Sequence, residues 1–94
     1  MSEPHDQDED EGFAEETLLQ AIENQLEAGE PAAVVATLNK LTLVGYPREE
    51  SVQLMALVLA HEIRRMLDED RAFDVAAYEA ALRALPELPD GADE

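Results

Sequence analysis

Apolar residues recur along this chain at three- and four-residue intervals, the spacing that gathers side chains on one face of an α-helix. Four segments show it. In the first, about 14–28, Leu18, Leu19, Ile22 and Leu26 share a face, and Glu16, Gln20, Glu23 and Glu27 lie opposite. Glu15 and Glu16 suit the positive start of a helix, and Gly29 supplies a left-handed stop. The second, about 31–44, opens at Pro31 in the first helical turn and closes at Gly45, with Val34, Val35, Leu38 and Leu41 as its apolar face. Leu41-Thr42-Leu43-Val44 has strand-like composition, but no second strand is available to pair with it, so helix is preferred.

The third segment, about 47–69, is the longest. Val52, Met55, Ala56, Leu59, Ile63, Met66 and Leu67 form one stripe, and Leu54, Leu57 and Val58 form a second, nearly opposite. A helix that is apolar nearly all round is buried on more than one side. The fourth, about 74–85, has Asp74 as a cap and Phe73 with Tyr78 as a staple across its start. Val75, Tyr78, Leu82 and Leu85 face one way, and Pro86 and Pro89 end the helix. The connections are two to five residues long, which makes successive helices antiparallel or steeply crossed. The fold predicted is all-α, a compact four-helix array with the third helix at its centre.

Charge adds to this picture at the ends. The 94 residues carry 23 acids against six bases, a formal net charge of -17. Residues 1–16 and 90–94 hold eleven of those net charges, and residues 17–89 are ordinary for a soluble domain. Residues 1–12 offer little apolar surface to bury and read as a disordered acidic tail, residues 13–88 as the single helical domain, and 89–94 as a frayed acidic end. Such charge disfavours nucleic acid and anionic membranes as partners. There is no cysteine, hence no disulfide framework and no thiolate chemistry. No apolar run is long enough to span a membrane, and the acidic start lacks the pattern of a secretory signal, so a cytoplasmic protein is expected.

No chemical motif emerges. Asp6-x-Asp8-x-Asp10 begins like a calcium loop, but the sixth position is Glu11 instead of glycine and the twelfth is Thr17 instead of glutamate. His61 has Leu57, Val58, Arg64 and Arg65 at helical spacing, none of them a metal ligand. Arg64, Arg65 and Arg71 stand among Glu62, Asp68, Glu69 and Asp70, with Arg64–Asp68 and Arg65–Glu69 at pairing distance along a helix, which reads as a surface ion-pair network. Ser51 and Thr17 are helix-start residues. No cofactor, metal site or enzymatic activity is expected.

The punctuation of the chain is familiar as a whole. Ala21-Ile22-Glu23-Asn24-Gln25-Leu26, Glu30-Pro31, Thr37-Leu38-Asn39-Lys40-Leu41 and Gly45-Tyr46 are followed by His61-Glu62-Ile63, Phe73-Asp74, Tyr78 and Leu85-Pro86. Over roughly residues 20–86 this resembles small bacterial all-helical domains of unknown function. The resemblance implies a bacterial source and a helical fold, and it brings no catalytic residues. The expectation is a non-enzymatic interaction module that binds a protein partner or a second copy of itself. Its contact would be the second stripe of the third helix, Leu54, Leu57 and Val58, bordered by His61 and Arg65. That stripe is either this interface or core beneath another helix. The alternative function is an acidic mimic of nucleic acid that binds a basic protein.

Overall fold

The computed structural model describes residues 15–88. Within them the chain forms α1 (Glu15–Ala28), α2 (Ala32–Leu43), α3 (Arg48–Glu69) and α4 (Val75–Ala84), with no strand. The predicted tail 1–12 and the end 89–94 lie outside the described residues.

The helix ends follow from local chemistry. Pro31 and Pro47 stand one place earlier than expected, as extended cap residues just before α2 and α3. Each caps through its carbonyl, which accepts from Val34 N and Ser51 N respectively, both at 2.9 Å. Ser51 is fully buried, and its hydroxyl donates back to the same Pro47 carbonyl at 3.0 Å. Three helices stop in one way. After α1, Glu30 N donates to Gln25 O at 3.2 Å; after α2, Tyr46 N donates to Leu41 O at 2.9 Å; after α3, Arg71 N donates to Met66 O at 3.2 Å. This six-to-one closure needs a left-handed residue just past the helix. Gly29 (φ 74°) and Gly45 (φ 107°) supply it twice, and Asp70 (φ 53°) supplies it the third time. The fourth helix starts as predicted. Asp74 Oδ1 accepts from Ala77 N at 3.0 Å, and the Phe73 and Tyr78 rings meet edge to face with centroids 5.5 Å apart.

The core is built around α3, which packs against all three other helices, most extensively against α1. Leu18 and Ile22 from α1, Val34 and Leu41 from α2, and Tyr78 and Leu82 from α4 close over Val52, Met55, Val58 and Leu59, with Leu85 beyond α4. Side-chain links stitch elements far apart in sequence. Lys40 donates to the carbonyl of Arg83, tying α2 to α4. Tyr78 Oη donates to Gln25 Oε1 at 2.8 Å, tying α4 to α1.

Two apolar faces run out before the ends of their helices. Leu67, expected in the buried stripe of α3, is 59% exposed, and Val75, expected on the buried face of α4, is 53% exposed. Both sit near the turn between α3 and α4, where no helix lies over them closely enough to cover them.

Two outcomes follow. Asp70 occupies a left-handed position at a helix C-terminus, where an L-residue is strained and a negative charge opposes the dipole. Asp70→Gly is expected to stabilise the fold by about 0.5–1 kcal/mol in a denaturant titration. Burial pushes the Tyr78 hydroxyl up to about 12, against a smaller lowering by the bond to Gln25. Because the folded value lies above the ordinary one, its contribution is present below pH 10 and is lost as the pH rises from there toward 12. Melting curves should show Tyr78→Phe less stable by about 1 kcal/mol at neutral pH. The variant should also lack the part of the alkaline decline that belongs to this residue.

Candidate interaction surface

The long helix carries the candidate residues, and the structure divides them. Arg48 to Glu69 contains neither glycine nor proline, so the helix runs unbroken and fixes each side chain by its register. Val58 is fully buried and belongs to the core, so it cannot touch a partner. Three residues from Met55, it joins Met55 and Leu59 in one core cluster, and the predicted separation of the two stripes fails at this position. Leu54 is half-buried against the same core, and His61 and Arg65 are half-buried. Leu57 alone of the three stripe residues counts as exposed, at 37%.

The open face of α3 is therefore rotated from the one predicted. Gln53, Leu57, Ala60, Arg64 and Leu67 recur at three- and four-residue spacing and share one side. All but Ala60, which is half-buried, are exposed. Gln53, Ala60, Arg64 and Leu67 were not among the candidate site residues. Leu67 was missed because its spacing also fits the core stripe, and Arg64 because its sequence neighbours offer it a partner. The partner is not taken up: the expected Arg64–Asp68 pair is absent among the described residues. Arg65 does pair with Glu69, at 3.7 Å, and with Glu62, at 3.6 Å. Arg71 bridges Glu69 and Asp74. Its proximity and the Ala77 N–H together hold the Asp74 carboxyl below its usual range, the backbone bond being the larger cause.

Glu62 departs further from expectation. It was placed in a surface network, but it is only 3% exposed, and its Oε1 accepts no hydrogen bond. The Arg65 guanidinium at 3.6 Å gives Coulombic compensation without a hydrogen bond. Of its two oxygens only Oε1 is buried without a hydrogen-bond partner, and a carboxylate oxygen in that position loses hydration that a non-bonded arginine does not replace.

A further surface lies at the other end of α3. The groove between α1 and the first turns of α3 has a volume of about 490 Å³ and is lined by Leu19, Pro47 and Val52 with Glu23, Arg48, Glu49 and Gln53. Arg48 holds Glu23 in a two-pronged contact, Nη1 to Oε2 at 2.7 Å and Nη2 to Oε1 at 2.9 Å. That contact keeps the Glu23 carboxyl below its usual range. Nearby, Leu43 and Val44 end α2 at 85% and 62% exposure, the most open large apolar residues among those described. Periodicity alone did not mark them out.

Among the described residues, no three His, Asp or Glu side chains converge as a bound cation would require. The Asp6–Asp8–Asp10 run lies outside them. No described helix is long and apolar enough to cross a membrane. The chain matches no protein-family model, and neither a curated protein nor a solved structure gives a significant match to it.

Glu62 supplies a test of the α3 electrostatics. Glu62→Met is expected to stabilise the fold by about 1 kcal/mol, because it removes an under-compensated buried charge at similar volume. Arg65→Ala should destabilise the wild type and have much less effect in the Glu62→Met background. Urea denaturation of the four proteins closes the cycle.

Proposed function

We propose that this chain is a small non-enzymatic interaction module that binds a protein partner, or a second copy of itself, through the open face of α3. The observation that carries the reading is the pairing of Leu57 and Leu67, 37% and 59% exposed, around Arg64, which has no ion-pair partner among the described residues. Leucines flanking an arginine give an apolar centre with a cation able to meet a carboxylate, the composition of a contact hot spot. Half-buried Ala60 between them lets another backbone approach closely. Leu54, His61 and Arg65 border this face and would form its rim.

The alternative, an acidic mimic of nucleic acid, draws less support from the folded body. A mimic needs carboxylates fixed in a regular row. On α1 the row Glu16, Gln20, Glu23, Glu27 is interrupted by Gln20 and neutralised at Glu23 by Arg48. The resemblance of residues 20–86 to small bacterial helical domains adds no site to either reading.

Leu57→Asp and Leu67→Asp test the proposal. Both positions are open enough to accept a carboxylate, so helical circular dichroism should be retained and the loss of stability should stay near about 1 kcal/mol. Sedimentation analysis and affinity capture from the native host should show self-association or partner binding reduced at least about tenfold, as expected for a contact hot spot. Full binding by both variants removes this face from consideration.

A further inference from the structure

The groove at the start of α3 is continuous with the face just described. Gln53 lines the groove, and Leu57 follows one turn later on the same side of the helix. The apolar lining is Leu19, Pro47 and Val52, and the turn that delivers Pro47 carries the exposed Leu43 and Val44. Its charge is one-sided. Arg48 is neutralised by Glu23, so the carboxylate in the lining without an ion-pair partner among the described residues is Glu49, with Glu50 beside it in sequence. Those two acids also offset the positive end of the helix dipole, which would otherwise favour an anion.

We infer that this groove docks a basic amphipathic helix from another protein. Apolar side chains of that helix seat on Leu19, Pro47 and Val52, and a Lys or Arg reaches Glu49. The inference rests on the reading of the chain as an interaction module and adds the chemistry of its partner. Charge complementarity selects this occupant. Glu49 is exposed and has no ion-pair partner among the described residues, so the charge it offers an incoming helix is negative and favours a basic side chain. A groove of about 490 Å³ suits a few side chains. Leu57, one turn beyond Gln53, extends the apolar track along α3, the helix-in-groove mode of recognition.

The test uses the full chain and synthetic peptides of about 18 residues, five helical turns. One has Leu on one face and Lys on the other. A second keeps the Leu pattern with Glu for Lys, and a third keeps the Lys count with Ser for Leu. At physiological ionic strength the Leu/Lys peptide should bind and shift the amide resonances of Leu19, Val52, Gln53 and Leu57. Glu49→Lys should weaken it about tenfold, and Glu87→Lys, outside the groove, less than about twofold. Glu49→Gln provides a neutral version should the reversal disturb the first turn. Equal binding of the Lys/Ser peptide would reduce the attraction to bulk charge and overturn the groove. So would equal binding of the Leu/Glu peptide. If Leu57→Asp abolishes binding and Glu49→Lys does not, the α3 face stands and the groove falls. If neither variant weakens binding, both fall.

Discussion

The burial of α3 on more than one side is the constraint from which the other features of the fold follow. The buried residues Val52, Met55, Ala56, Val58, Leu59 and Glu62 span a broad arc of the helix, and all three other helices pack against it. Three shorter helices therefore share it, and each needs only a narrow apolar stripe of its own. That arrangement explains why α1 carries only two buried side chains, Leu18 and Ile22, and keeps Glu16, Gln20 and Glu27 in water. It also explains the long-range polar links. Helices α1 and α4 do not pack backbone to backbone, so the Tyr78–Gln25 hydrogen bond joins parts of the shell that the core does not hold together directly.

The helices and most of their ends were legible in the sequence because the signals are local. Gly29, Gly45 and Asp74 act within a turn of their own position, and each behaves as its chemistry requires. What the pattern cannot encode is how far along its axis a helix is covered. Leu67 and Val75 carry correct helical spacing, yet they project beyond the reach of their neighbours. Val58 shows the opposite limit: assigned to the second stripe, it is fully buried in the same core cluster as Met55. Glu62 was misplaced for a further reason. A charged residue is read as solvated by default, and only the fold brings a carboxylate under cover with an arginine arriving from the next turn.

The candidate surface was therefore half legible. Leu57 was identified from the second stripe, with its neighbours Leu54, His61 and Arg65 at the border. Leu67 and Arg64 emerge only when the bundle is assembled, because solvent exposure and the absence of an ion-pair partner are properties of the whole structure. The same holds for the groove, whose lining comes from α1 and from the α2–α3 junction as well as from α3 itself. Together the two regions leave one side of the longest helix without a companion, in a domain whose other helices are each engaged.

The shared termination of α1, α2 and α3 has a consequence for how the junctions tolerate change. A Cβ placed on Gly29 or Gly45 would meet no atom within 4 Å, so bulk is not what excludes other residues there. The cost is set by backbone handedness alone. In a saturation scan these two positions would give profiles nearly flat in side-chain size and graded instead by ease of entering the left-handed region. Asn and Asp would then lead the non-glycine residues, and β-branched residues would rank last. The aspartate already seated at position 70 is one natural point on that scale.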